Sequence, residues 1–304
     1  MSGNPSPRGT ATVAAIALVL GGLLAWSLMS TDRGLPPVFQ AHMERLRLVS
    51  AMRLNLAAAE EAEKSAVLAD TDEASEALAQ ESRARSQAVE NGRAALEGLL
   101  AQGGSARQKG LFLQFSRAFA ELRLIDRDIL ELAVRNTNLK AFALTFGPAA
   151  RVLDAFNRSL AALTDANSAS PLAQEVLLQA FKAQSGLLKV QALLAPHVVE
   201  ADDRKMDSLE ADMALSEAEA ASALEALAGM DPLEGREALA PARAAFGQYL
   251  ELKRQILALS RENTNVRSMT LSLSKKRKVS AACQEALAAL EEDLLNQDFN
   301  KATR

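Results

Sequence analysis

From residue 38 to residue 297, apolar side chains recur at three- and four-residue steps, and this period decides the fold class. One stretch places Phe112, Phe115, Phe119, Leu122, Ile125, Ile129 and Leu132 on a single helix face. Another does the same with Met206, Leu209, Met213 and Ala220 among many acidic residues. Such stripes bury one face of a helix and leave the other in water. The residue types agree, because Ala and Leu dominate and aromatics are only 4%. Too few β-branched runs remain to fill a sheet, so an all-β chain is excluded and a parallel α/β fold is disfavoured. The pattern predicts eight helices, at about 38–69, 73–101, 105–135, 138–167, 171–197, 202–229, 232–262 and 265–297. Thr71 and Ser105 stand where N-caps belong, and Pro171 and Pro232 stand where first-turn prolines belong. Short connections make successive helices antiparallel neighbours, each roughly 45 Å long.

The chain also repeats itself. Residues 129–146 read ILELAVRNTNLKAFALTF, and residues 256–273 read ILALSRENTNVRSMTLSL. The shift of 127 aligns Asn136, Thr137 and Asn138 with Asn263, Thr264 and Asn265, and Phe119 and Arg127 with Phe246 and Arg254. Upstream, Leu96 and Glu97 recur as Leu224 and Glu225 with one residue of slippage. Two copies of a four-helix unit are therefore expected, at 38–167 and 168–304.

Residues 10–30 (TATVAAIALVLGGLLAWSLMS) carry no charge and are long enough to cross a hydrocarbon core of roughly 30 Å. Trp26 sits at the outer edge, where indoles favour the interface. The segment reads as an uncleaved transmembrane helix after a cytoplasmic N-terminus, residues 1–9, with a linker at 31–37. Arg8 before the span favours a cytoplasmic start, which puts the bulk of the chain outside the cytoplasm, in the periplasm of a cell whose inner membrane holds the single span. The expected fold is thus all-α, an N-terminal transmembrane helix followed by two antiparallel up-down four-helix bundles.

Each half resembles the four-helix-bundle sensory domain of methyl-accepting chemotaxis receptors. The matching pieces are EEAEKSAVLADTDEASEALAQESRARSQAVE at the first helical turn, and LAVRNTNLKAFAL and LSRENTNVRSMTLSL at the third. The resemblance implies a sensory, ligand-binding module in signal transduction. No second span or cytoplasmic signalling hairpin follows in this sequence, so a signal is expected to pass through a partner protein.

No motif specifies the ligand-binding residues. Arg53, Arg123 and Arg127 are candidates because an Arg beside an apolar stripe can clamp a carboxylate, although snorkelling at the stripe's edge is the default. The Asn-Thr-Asn turns are expected to be structural hinges at equivalent, membrane-distal ends of the two units, each capping its own following helix rather than binding a ligand. Lys275, Lys276, Arg277 and Lys278 read as a solvated run, His42 and His197 as surface or loop residues, and Cys283 as a small core residue. One Cys and two His leave no metal site, and no cofactor motif is present. Enzyme signatures are missing, and a net charge of -4 disfavours nucleic acid. Besides the membrane, a second copy, a sensor partner protein and a small-molecule ligand are the expected partners. The competing reading is an anchored coiled-coil scaffold with no small ligand.

Overall fold

The computed structural model describes residues 37–302. Its helices are α1 (Pro37–Leu68), α2 (Asp72–Gly103), α3 (Ala106–Ala133), α4 (Thr137–Leu144), α5 (Ala150–Ala166), α6 (Ala173–Val199), α7 (Asp203–Gly229), α8 (Leu239–Glu262), α9 (Thr264–Leu271) and α10 (Arg277–Ala302). A π-helical turn, Thr145–Ala149, joins α4 to α5, and another, Ser272–Lys276, joins α9 to α10. The two turns are 127 residues apart. No strand occurs among the described residues, and none of their helices is long and apolar enough to cross a membrane. The segment at 10–30 lies outside the described residues.

Local chemistry sets the helix ends. Thr71 accepts from the Ala74 N–H at 3.1 Å. Ser105 and Gln108 form a reciprocal capping box that starts α3. At the other end of α2, the Arg45 guanidinium donates to the carbonyls of Leu99 and Gly103. Two helices start later than the prolines suggest. α6 begins at Ala173, and α8 begins at Leu239 after a 3-10 turn at Arg236–Ala238. The intervening loop is held instead by Asn167, whose amide donates to the Glu234 carbonyl at 2.7 Å and accepts from its N–H at 3.1 Å.

Two bundles form, but they are not the two successive four-helix units of the repeat. In the first, Met52 and Leu56 of α1, Val89 and Leu96 of α2, Phe115 and Phe119 of α3, and Leu287 and Leu290 of α10 share one core. In the second, Phe156 and Leu160 of α5, Leu187 and Val190 of α6, Leu224 and Leu227 of α7, and Tyr249 and Ile256 of α8 share the other. Residues 38–167 and 168–304 therefore do not each close their own core. α4–α5 leaves the first repeat to complete the second bundle, and α9–α10 returns to complete the first. The physical reason lies in the breaks. An antiparallel helical hairpin needs a loop of about two to five residues. Between α8 and α9 there is only Asn263, too short for a hairpin, whereas Val134, Arg135 and Asn136 stand between α3 and α4, where the direction is set by the left-handed Asn136 and its bond to Asn265 across the repeat. Both asparagines are left-handed, Asn263 at φ 51° and Asn136 at φ 48°. Such a break bends a helix without sending it back along itself.

The α6–α7 hairpin packs most closely at Gly186, where an added Cβ would lie 2.6 Å from the Ser216 carbonyl oxygen and 3.0 Å from Ala220 Cβ. Gly186→Ala is expected to push the hairpin apart and cost about 1–3 kcal/mol. Gly247→Ala, in open space on α8, should instead stabilise by about 0.5–1 kcal/mol. Circular dichroism melts of the two variants check the contrast, and equal shifts would refute the close-packing account.

Candidate functional site

The two Asn-Thr-Asn turns meet where the bundles join. Neither Asn136 nor Asn263 caps its own helix through its side chain. Capping runs across the repeat instead. The Thr264 hydroxyl accepts from the Thr137 N–H and the Thr137 hydroxyl from the Thr264 N–H, both at 3.2 Å. Asn265 Oδ1 accepts from the Asn138 N–H at 3.2 Å, and Asn138 Oδ1 from the Asn265 N–H at 3.1 Å. The amides are used as well. Asn138 Nδ2 donates to Asn263 Oδ1 at 2.8 Å and to the Val198 carbonyl at 2.5 Å, and Asn265 Nδ2 donates to Asn136 Oδ1 at 2.9 Å. Asn136 reaches Asp72 at the start of α2, and Asn263 reaches the Glu200 carbonyl before α7. Arg135 pairs with Glu262 at the rim. The turns are thus one buried node, tying both crossovers to both hairpin ends, rather than two separate self-capped tips.

Within the first bundle, a charged cluster sits in the core. Lys276, at the end of the second π-helical turn, is 3% exposed in its side chain and pairs with Glu63 of α1, which is fully buried. Its Nζ also lies 2.9 Å from Asp126 Oδ1 on α3. The Ser272 hydroxyl donates to Glu63 Oε2 at 3.4 Å, while Glu63 Oε1 has no protein partner. Burial raises the Asp126 carboxyl above the usual carboxylate range, against the pull of Lys276. Burial would lower the Lys276 ammonium, but Asp126 and Glu63 outweigh it and hold the ammonium above its ordinary value. One cation serves two carboxylates, so the uncompensated burial falls on Asp126.

This cluster ends a polar seam between α1 and α10. Glu60 accepts from Ser280 and from Gln284, the latter at 3.1 and 3.0 Å to its two oxygens. Farther along, Glu291 accepts from Arg53 and, at 2.6 Å, from Ser50. Two shallow grooves follow the seam. One, of about 480 Å³, is lined by Ser50, Arg53 and Glu291, and the other, of about 430 Å³, by Glu60, Ser272 and Lys276. Gln284 lines both.

The three candidate arginines are not brought together. Arg53 belongs to this seam. Arg123 and Arg127 line a separate groove between α2 and α3. Arg123 lies over the Phe119 ring at 6.0 Å and 3.5 Å from Glu90, and Arg127 is exposed beside Asp128 and Glu131. Of the basic run, Lys275, Arg277 and Lys278 are exposed as expected, but Lys276 points inward. Both histidines are buried rather than superficial. His197 Nδ1 lies 2.8 Å from Ser260 Oγ and Nε2 lies 2.9 Å from Glu210, whose carboxyl Arg261 holds below its usual range. Cys283 is a core residue of the first bundle, its thiol pushed up to about 12 by burial. Among the described residues no group of His, Cys, Asp and Glu is arranged to hold a metal ion.

A family model, described as a four helix bundle sensory module for signal transduction, matches residues 9–174. That stretch is more than half of the 304 residues and runs from the apolar segment at 10–30 through α5, so its described helices are shared between the two bundles. No curated protein matches the chain.

Proposed function

Because the chain belongs to the family of four helix bundle sensory modules for signal transduction, we propose that it is a membrane-tethered, extracytoplasmic sensor whose signal passes through a partner protein. The family is a non-enzymatic signalling module of chemoreceptor type. The observation that carries the finer reading is the polar seam. α1 follows the apolar segment at 10–30 in sequence, and α10 is tied to it from Ser50 to Glu60. Elsewhere these helices are fixed by close-packed Leu, Phe and Met side chains, which resist small displacements. Along the seam they are joined by hydrogen bonds and ion pairs, which a ligand's polar groups can replace. A small molecule seated in either groove exchanges some of these ties and biases α10 against α1. Differential affinity for the two arrangements is what turns such binding into a signal.

The test is a thermal-shift screen of the full-length chain in detergent against a panel of small metabolites. Compounds that raise Tm in the wild type are expected to lose most of that effect in Gln284→Ala, which opens both grooves at their shared wall. An absence of hits, or hits indifferent to Gln284, would remove the ligand from the reading and leave the anchored scaffold.

A further inference from the structure

The last turn of α6 belongs to the joint between the bundles, and it carries a fully buried histidine. The His197 ring reaches both neighbouring helices. Nδ1 lies 2.8 Å from Ser260 Oγ on α8, and Nε2 lies 2.9 Å from Glu210 Oε1 on α7. The Ser260 hydroxyl also donates to the His197 backbone carbonyl at 3.0 Å. The same turn anchors the Asn-Thr-Asn node. Asn138 donates to the Val198 carbonyl, and Asn263 donates to the Glu200 carbonyl just beyond. Core packing does not require this arrangement. Where α8 carries Ser260, the shift of 127 places Ala133 on α3, and it is equally buried.

The protons in this network can be counted. A serine hydroxyl has one proton to donate and an ionised carboxylate has none. Arg261 donates to Glu210 at 2.7 Å and holds its carboxyl below the usual range, so Glu210 only accepts. With the Ser260 proton on the carbonyl, both ring nitrogens have to donate, which the imidazolium alone can do. A neutral ring keeps its Nε2–H on Glu210 and makes Nδ1 an acceptor. The Ser260 hydroxyl then rotates to Nδ1, and the His197 carbonyl loses its tie to α8. The surrounding charges favour the proton. From α7, Glu210 faces the ring, while Asp207 and Asp203 lie 2.5 and 4.0 Å from the Arg261 guanidinium of α8. α4 brings Asn138 to this turn, and its Lys140 is paired with Asp72. α5 meets α6 farther down, at Gln184, and Glu200 past the end of α6 is paired with Lys205. These three carboxylates of α7 therefore share one guanidinium until the ring takes up a proton. The carbonyl end of α6 adds to the attraction. Glu210 is 33% exposed in its side chain, which gives the buried ring a route for proton exchange with water.

We infer that His197 is a proton-binding site that latches the joint between the two bundles. With the proton bound, the last turn of α6 is tied to α7 and α8 at once, and the carbonyls that hold Asn138 and Asn263 are fixed. With the proton lost, the turn keeps its bond to α7 and lets go of α8 at the His197 carbonyl. Imidazole is the side chain whose ordinary protonation change falls between pH 5 and 8. The pH of the medium thereby becomes an input to the packing of one bundle on the other. The site lies outside both grooves of the polar seam, so it is independent of any small molecule bound there.

The full-length chain, labelled with 15N-histidine, is titrated in detergent from pH 5.5 to pH 8. It has two imidazoles, and the His197 signals are those absent from His197→Gln and retained in His42→Gln. Both ring nitrogens should carry protons at pH 5.5, and Nε2 alone at pH 8. The Tm gap between wild type and Ser260→Ala should be wider at pH 5.5 than at pH 8 by about 2–4 °C. Asp126 titrates alike in both chains and cancels from that gap. The latch itself is read with nitroxides at Leu54→Cys and Phe181→Cys, exposed positions on the two bundles, in a Cys283→Ala background. Their distance distribution should broaden from pH 5.5 to pH 8, and Ser260→Ala should be broad at both. A ring that keeps one protonation state throughout, whichever it is, overturns the inference. So does a Tm gap that is constant or wider at pH 8. A ring that titrates while the distance distribution stays unchanged overturns it as well.

Discussion

Lys276→Met is expected to cost about 3–5 kcal/mol in urea unfolding at neutral pH, the range for removing one partner from a buried ion cluster. The substitution leaves the buried Glu63 and Asp126 carboxylates without their cation. Adding Glu63→Gln should restore part of the loss, because it removes one of the stranded charges. The pH dependence has a definite sign. Burial raises the Asp126 carboxyl, so the folded chain holds a proton there at pH values where the unfolded chain has released it. Asp126 therefore opposes folding at neutral pH, and its penalty fades as the pH falls through the raised folded value toward the ordinary carboxylate range. The Lys276 ammonium is held above its ordinary value. Its contribution is present throughout neutral pH and is lost only as the pH rises through that raised value. The Lys276→Met defect should accordingly shrink on mild acidification. A loss under about 1 kcal/mol at neutral pH, or a defect that grows on acidification, would contradict the cluster's role as the clamp between α1, α3 and α10.

Asn138→Ala should be nearly as damaging, at about 3–5 kcal/mol, because it strands several buried partners at about 1–3 kcal/mol each. The Val198 carbonyl, the Asn263 amide oxygen and the Asn265 N–H all lose their bond to it. An ordinary cap would cost only about 1 kcal/mol. The partners also predict non-additivity. Asn265→Ala removes the reciprocal half of the same node, so the double variant should lose less than the sum of the single losses. Additive losses near the cap value, measured by chemical denaturation, would return the turns to the role of independent caps.

Much of the candidate site is legible in the spacing of the residues. The core stripe of α1 runs through Val49, Met52, Leu56, Ala59, Glu63 and Ala66, alternating steps of three and four. Glu63 therefore stands at a core position. Asp126 occupies the same kind of position between Leu122 and Ile129, and His197 follows Val190 and Leu194. A charged or polar residue in phase with a core stripe is a signal that periodicity alone exposes. Lys276 gives no such signal. Four basic residues in a row on an ideal α-helix point to four directions, and nothing marks one as inward. The π-helical turn at Ser272–Lys276 inserts a residue into the helical count and rotates the downstream side chains by about 100°. Only the folded backbone shows which of the four then faces Glu63.

The sequence by itself determined the helices, their ends at Thr71 and Ser105, and the equivalence of Asn136 with Asn263. These depend on neighbours a few residues away, through capping and the three- and four-residue step, so local chemistry is sufficient. Tertiary structure alone decided which helix joins which bundle. A stripe of Leu, Ala and Phe states that a face is buried but does not name the helices that cover it, and α4–α5 and α9–α10 carry stripes of the same kind. Their exchange follows from the direction in which the chain leaves two left-handed asparagines. That direction is fixed where Thr137 meets Thr264 and Asn138 meets Asn265, contacts between residues 127 positions apart. Each Asn-Thr-Asn turn read separately has donors and acceptors enough to cap its own helix, and only the presence of the other turn shows that they are used across the repeat.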